Sequence, residues 1–313
     1  MKVYHDIQSF PKLPFPIVTT GTFDGVHLGH CTILEKLKSY RLISGHETVV
    51  ITFNPHPRLV LQPNDNQLEL LNSLDEKIEL LSKQGIDHLL VIPFDKKFAA
   101  LSSLEFIQQI LVQTIGTKKL VIGYDHHFGK NREGSFENLQ QTGHQYGFEV
   151  EEIPAKDIDH VAISSTKIRE ALHNGDIITA NKFLGYQYMM EGTVVKGRQL
   201  GNTIGFPTAN LEIIGQRKLI PQNGVYAVTV SVENSIYKGM MNIGNRPTVE
   251  SNGGRKVEVH ILDFSSNLYG KKLQISCVDR IRDEKKFTSL DELKSQLKDD
   301  KNQIQSILSS VPF

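Results

Sequence analysis

A glycine-punctuated loop between a strand and a helix restricts this chain more than any other feature. Residues 17–19 read as the end of a buried strand, and a helix-like stretch begins near Cys31. Between them runs Thr20-Gly21-Thr22-Phe23-Asp24-Gly25-Val26-His27-Leu28-Gly29-His30. Gly21, Gly25 and Gly29 let the backbone turn tightly and come close to an anion, and the first N–H groups of the following helix point at the same place. His27 and His30 bracket that point. Strand, turn and helix in this order predict an α/β unit with a nucleotide-phosphate site at its strand ends.

Composition limits the alternatives. At 313 residues the chain exceeds the usual single-domain size, so two domains are expected. Lys plus Arg and Asp plus Glu are equal at 35 each. No global field therefore favours nucleic acid or an anionic membrane, and phosphate affinity has to be local. Cys31 and Cys277 lie far apart, which argues against a disulfide framework, a zinc site or a redox pair and fits a reducing cytoplasm. Residues 1–15 lack the apolar core of a signal peptide, and no apolar run approaches the roughly 20 residues of a membrane span. The expectation is a cytoplasmic protein without nucleic-acid or membrane partners.

Up to about residue 185, strand-like and helix-like runs alternate. Residues 48–53, 89–92, 120–122 and 148–153 read as strands after the first one. Ser73-Leu74-Asp75-Glu76 and Ser102-Ser103-Leu104-Glu105 fit capping boxes, with Gly85 and Gly116 just past the helix ends. Such alternation predicts a doubly wound parallel sheet. From Tyr186 to about Arg280 the pattern turns to strands without intervening helices: 189–195, 225–232, 236–241, 257–264 and 273–278, with Glu233-Asn234 as a hairpin turn. A small antiparallel barrel is expected there, closed by a polar helix opening at Ser289-Leu290-Asp291-Glu292. The boundary falls within 182–187, giving domains 1–184 and 185–313.

Three further motifs sit at strand ends of the first half. In Thr52-Phe53-Asn54-Pro55-His56-Pro57 the prolines stiffen a turn and Asn54 offers amide donors and an acceptor. Gly123-Tyr124-Asp125-His126-His127-Phe128-Gly129 has adjacent histidines whose side chains diverge on an extended chain, so a metal is not expected. In Ile163-Ser164-Ser165-Thr166-Lys167-Ile168-Arg169-Glu170 hydroxyls cap a helix start while Lys167 and Arg169 extend from its first turn, a cluster suited to polyphosphate or pyrophosphate.

In the second half, period-two alternation over 257–264 places Glu258, His260 and Leu262 on one face of a strand and Val257, Val259 and Ile261 on the other. A carboxylate on a substrate hydroxyl can serve as general base. Thr208 and Asn210 supply hard oxygens after the break at Pro207, suited to magnesium that bridges ATP phosphates.

Taken together, G-x-F-D-G-x-H-x-G-H, T-F-x-P-H-P, G-x-D-x-x-F-G and I-S-S-T-x-I-R, in this order, resemble the FAD synthetase half of the bacterial bifunctional riboflavin kinase/FAD synthetases. The second half, through Gly192-Thr193-Val194-Val195-Lys196-Gly197, the Gly205-Phe206-Pro207-Thr208-Ala209-Asn210 core, Gly224-Val225-Tyr226, Asn242 to Thr248 and Val257-Glu258-Val259-His260, resembles their riboflavin kinase barrel. The resemblance covers nearly the whole chain. It implies FMN synthesis from riboflavin and Mg-ATP in the barrel, with Glu258 as base and Thr208 and Asn210 on the metal. It also implies adenylylation of FMN to FAD in the first domain, with His27 and His30 stabilising charge. Gly21, Phe23, Gly29, Ser165, Thr166, Lys167, Arg169, Gly197, Gly205 and Pro207 are then expected around ATP phosphates. Asn54, Asp125, His126, Phe128, Arg246 and His260 are expected near flavin. A monomer or weak homo-oligomer is expected.

Two positions depart from the family pattern. Asn202 stands where relatives usually carry Arg, and His126 replaces an aromatic Phe. Two rival readings are a nucleotidyltransferase acting on another small phosphate ester, which the barrel opposes, and a flavin-storing or flavin-sensing protein, for which a base and two histidines would be superfluous.

Overall fold

The structure is a computed structural model that describes residues 1–42, 45–65, 67–123, 136–153, 163–197, 200–233, 235–245 and 255–310. It divides into two compact units, Met1–Ser164 and Ser165–Phe313.

The first unit is built from β1 (Lys2–Tyr4), β2 (Phe15–Thr20), α1 (Leu28–Arg41), β3 (His46–Asn54), α2 (Pro57–Leu61), α3 (Leu74–Lys83), β4 (His88–Pro93), α4 (Lys96–Ala99), α5 (Ser103–Phe106), β5 (Lys119–Gly123), α6 (Phe136–Tyr146) and β6 (Glu149–Ile153). The strands form one parallel six-stranded sheet in the order β1-β4-β3-β2-β5-β6. The doubly wound sheet is as expected. Residues 49–52 of β3 and the run 88–92 of β4 are buried on both faces, as strands covered by helices on either side must be. The chain steps outward from β2 to β3 and β4, then crosses to β5 on the other side of β2. The loop after β2 therefore lies at the point where the winding reverses, where open α/β sheets hold their ligands.

Helix ends follow local chemistry. Ser73 with Glu76 and Ser102 with Glu105 form reciprocal capping boxes, and Gly85 and Gly116 both take φ of 74° beyond the helix ends. Two features go beyond the sequence expectation. The helix opened by Ser102 continues as a π-helix over Ile107–Ile115, burying Ile107, Ile110, Leu111 and Ile115. The short strand β1 is a pairing that three residues cannot announce by periodicity; it joins the sheet edge through Lys2 N–H donating to Asp87 O at 2.7 Å.

The second unit contains α7 (Ser165–His173), α8 (Ile177–Leu184), β7 (Tyr188–Val195), α9 (Leu200–Thr203), β8 (Ala209–Ile213), β9 (Gly224–Val232), β10 (Ser235–Asn245), β11 (Arg255–Ile261), β12 (Lys272–Arg282) and α10 (Leu290–Ser309). Its strands close into an antiparallel barrel, β10-β11-β8-β7-β12-β9. The barrel and its terminal helix match the expected class. Strand β8 is the one that pattern reading lacked. Asn181 ties α8 to the barrel: its Nδ2 donates to Cys277 O at 2.9 Å and its Oδ1 accepts from Tyr188 N–H at 2.7 Å. Helix α10 covers one outer face, where Ile304 and Leu308 pack with Phe206, Val225, Met240 and Leu262.

Arg282 and Asp300 fasten α10 to β12. Arg282 Nε donates to Oδ1 at 2.9 Å and Nη2 to Oδ2 at 2.7 Å, and Asp300 is only 2 % exposed. Removing one partner of such a pair leaves an uncompensated charge in the interior. Asp300→Ala is expected to lower stability of this unit by about 3 kcal/mol, read as a fall in the urea midpoint; a loss below about 0.5 kcal/mol would show that the pair is worth no more than a surface contact.

Candidate active sites

The loop after β2 departs from ordinary backbone at three residues. Phe23 and Val26 take φ of 47° and 38°, and Gly25 takes 88°. Two non-glycine residues in the left-handed region cost free energy that the surroundings have to offset. They do so with buried polar contacts. Asp24, 2 % exposed, accepts the N–H groups of Leu71 at 3.0 Å and Asn72 at 3.4 Å, and Asn72 Oδ1 accepts Gly25 N–H at 2.6 Å. The Thr22 carbonyl takes Lys77 Nζ at 2.7 Å and Thr52 Oγ1 at 3.1 Å.

The two histidines meet at the start of α1. His27 is its N-cap, and Nδ1 accepts the His30 N–H at a long 3.4 Å. The imidazoles stack with centroids 3.8 Å apart and planes 16° from parallel, and Phe23 lies 5.0 Å from the His30 ring. A Cβ on Gly29 would fall 3.2 Å from the His27 ring, so close stacking there suits glycine. The His30 pKa is held well below its ordinary value by burial first, then by His27 and Lys77. Its Nδ1 is enclosed and has no hydrogen-bond partner among the described residues. A neutral, donating imidazole beside a helix N-terminus is equipped to bind developing negative charge.

The other residues expected around ATP and flavin are placed as follows. Gly21 donates its N–H to Ile51 O at 3.0 Å, at the mouth of the loop. Asn54 ends β3, exposed, before a cis peptide to Pro55. Register pairs Asn54 with Pro93 of β4. Next to Pro93 opens a cavity of about 440 Å³ whose walls include Ile7, Ile92, Phe98 and Ile110. Asp125, His126 and Phe128 lie outside the described residues. So does Arg246 of the second unit. Ser165, Thr166, Lys167 and Arg169 form the first turns of α7, Thr166 and Lys167 exposed and Ser165 and Arg169 half-buried.

In the barrel, ladder register lines up Asn242, Glu258, Asn210 and Val195 on neighbouring strands β10, β11, β8 and β7. Residues directly opposite in a ladder project to the same face, so Glu258 and Asn210 are cross-strand neighbours. Lys256 Nζ sits 2.5 Å from Glu258 Oε1. Asn210 is 7 % exposed, and its Oδ1 is buried without a partner among the described residues. A Cβ on Gly197 would fall 2.0 Å from Asn210 Nδ2, so only glycine lets the chain lie against that amide. Thr208 and Pro207 are exposed, two and three residues before Asn210, and Gly205 takes φ of 82°.

His260 is largely enclosed. It is 8 % exposed, its Nδ1 donates to Pro207 O at 2.7 Å, and its ring meets Phe206 edge-on at 5.3 Å. Burial lowers its pKa, the Pro207 contact opposing. Leu262 is likewise buried, at 3 %, because α10 covers that end of the sheet. Glu258 alone of the three stays partly open. Residues 200–203 form one turn of helix ahead of Gly205.

Lys77 and Asn72 were not legible as site residues. For Lys77 a signal existed: with Leu80 and Leu81 it occupies the buried stripe of α3, where a lysine is out of place.

A parallel α/β unit with paired histidines at its winding reversal, joined in one chain to a closed barrel carrying a carboxylate beside a buried amide, defines a nucleotide-using transferase with two separate sites. A family model for FAD synthetase matches residues 12–167 and one for riboflavin kinase matches 184–308. Relatives described as bifunctional riboflavin kinase/FMN adenylyltransferase are 39 % identical over 300 residues in Escherichia coli (strain K12), covering 95 % of each chain, and 40 % over 295 residues in Haemophilus influenzae, covering 94 % of each. A solved Streptococcus pneumoniae chain described as a macrolide-efflux protein shares the fold with a TM-score of 0.87 and 31 % identity over 97 % of this chain and 98 % of its own. Among the described residues no helix is long and apolar enough to cross a membrane. The chain belongs to the bifunctional riboflavin kinase/FMN adenylyltransferase family.

The depressed His30 pKa has a consequence for stability. Above about pH 6.5 the ring is neutral whether the chain is folded or unfolded; as pH falls below that value, only the unfolded chain takes the proton, and stability drops. The urea midpoint of wild type should therefore fall more steeply between pH 7 and 5 than that of His30→Asn, on the scale of about 1.4 kcal/mol per unit of pKa difference. Parallel curves for the two would show an unperturbed ring.

Proposed function

We propose that the barrel phosphorylates riboflavin to FMN with ATP, and that the α/β unit adenylylates FMN to FAD with release of pyrophosphate. In the barrel, Glu258 takes the proton of the ribityl 5'-hydroxyl, whose oxygen forms a bond to the γ-phosphorus while the bond to the β-bridging oxygen breaks and ADP departs. The observation that carries this half is the register pair Glu258–Asn210, which sets a base beside a buried amide oxygen that has no partner among the described residues. That oxygen, with the exposed Thr208 hydroxyl, fits a magnesium ion; when bound, the ion would neutralise phosphate charge. Gly197, Gly205 and Pro207 shape the approach of the ATP phosphates. His260 acts by bracing the 206–208 turn, and Arg246 contributes on the flavin side.

In the α/β unit, an oxygen of the FMN phosphate bonds to the α-phosphorus of a second ATP, and the bond to the α–β bridging oxygen breaks. The nucleophile is already anionic, so no base is required. His27, His30 and the N–H groups around Phe23 and Gly29 stabilise the added charge, with Gly21 letting the chain turn there. Asn54, Asp125, His126 and Phe128 face the flavin. The catalytic modules correspond to 1–184 and 185–313, working in the cytoplasm as a monomer or weak homo-oligomer. Adenylylation of another phosphate ester would leave the Glu258–Asn210 pair without work, and mere flavin storage would leave both histidines without it.

The two activities are separable by mutation. His30→Asn should cut FAD formation from FMN by roughly a hundred-fold or more while FMN formation from riboflavin persists. Glu258→Gln should do the reverse, lowering kcat for FMN synthesis by roughly a hundred-fold or more with riboflavin binding retained. Chromatographic separation of flavins after incubation with riboflavin or FMN, Mg and ATP reads both; either variant losing both activities with a native circular dichroism spectrum would refute the two-site assignment.

A further inference from the structure

The reciprocal capping box at Ser73 and Glu76 fixes how α3 is rotated, and that rotation places Lys77 inward with Leu80 and Leu81. Lys77 is 7 % exposed. Burying an ammonium ion is costly unless it is paired, and an apolar side chain of the same length would fill this position without that cost. Asp24 is the carboxylate that acts on it. Asp24 Oδ1 already accepts two backbone N–H groups, from Leu71 and Asn72. Burial lowers the Lys77 pKa, with Asp24 opposing. Packing gives no reason for the charge, so its use has to be sought in the loop above it.

Lys77 Nζ donates to the Thr22 carbonyl at 2.7 Å. A trans peptide directs its C=O and its N–H in opposite senses, so tethering the Thr22 oxygen toward α3 turns the Phe23 N–H away from it. Thr52 Oγ1 holds the same oxygen from β3 at 3.1 Å. The charge also acts on the stacked histidines. Among the described residues the groups that act on His30 are His27, stacked on it at 3.8 Å, and Lys77 from α3, and both favour the neutral ring.

We propose that Lys77 is a positioning residue of the adenylyl-transfer site: its buried ammonium orients the Thr22–Phe23 peptide toward the polyphosphate and supplies a fixed positive charge beneath the loop. The proposal rests on the reading of the α/β unit as that site. Lys77→Met keeps the length and removes both charge and donor; Lys77→Gln keeps a donor for Thr22 and removes only the charge.

In the full-length chain, both variants should bind inorganic pyrophosphate about ten-fold more weakly by calorimetry, with a matching rise in KM for ATP in FAD formation, the scale of one charge-assisted contact. In NMR titrations of the free chain the His30 midpoint should move upward in both. FMN formation from riboflavin should be unchanged. A lysine that merely props the loop would lower the melting temperature of Lys77→Met and leave the His30 midpoint and the pyrophosphate affinity of Lys77→Gln at wild-type values, and that result overturns the proposal. The wild-type chain failing to make FAD from FMN in the same assay would instead overturn the reading on which it rests.

Discussion

The first unit depends on one buried exchange of hydrogen bonds. The Asp24 carboxylate accepts the N–H groups of Leu71 and Asn72, and the Asn72 side chain returns an acceptor to Gly25 N–H. Each group is removed from water, so each would cost free energy if left alone. Together they hold a loop with two non-glycine residues at positive φ, a conformation that the loop would not keep by itself. Since α1 begins where that loop ends, the same contacts decide where His27 caps the helix and where His30 stacks. Chemistry at the end of β2 is thus set by a segment about fifty residues away in sequence, the start of α3.

In the barrel, positioning comes from register instead. A one-residue slip of β11 against β8 would send Glu258 to the opposite face and bring Val257 or Val259 beside Asn210. Register is protected because the alternate residues Val257, Val259 and Ile261 are buried, so a slip would expose them. Core packing and site assembly are therefore the same constraint seen from two faces of one strand. The tight approach of Gly197 to Asn210 adds a second check, since any side chain at 197 would displace the amide.

What could be read in the sequence follows the range of the interactions. Strand–helix alternation, the two capping boxes and the glycines that close helices are local, and they occur where residue patterns place them. The H-x-G-H spacing is local as well, and it does bring the two imidazoles into contact. Alternation along β11 puts Glu258 and His260 on one face but cannot say how much of that face is covered: Phe206 and Pro207 enclose His260, and α10 packs on Leu262. Strand β8 escaped notice because Pro207 and the turn before it mask a short run. Lys77 escaped for the opposite reason: lysines are normally solvated, and only its place on the buried stripe of α3 distinguishes it.

The two sites also differ in how their electrostatics must be arranged, for a chemical reason. A neutral hydroxyl nucleophile needs a proton acceptor, the role proposed for Glu258, which lies partly open with Lys256 at 2.5 Å. A phosphate nucleophile carries its charge already, and bringing it to a triphosphate demands positive or donating groups that are in place before the anions meet. A cluster of protonated histidines would repel itself and shed protons on burial. In the α/β unit burial and neighbouring charge keep His30 neutral, and Lys77, whose own pKa burial lowers, is shielded from water and held by the Thr22 carbonyl.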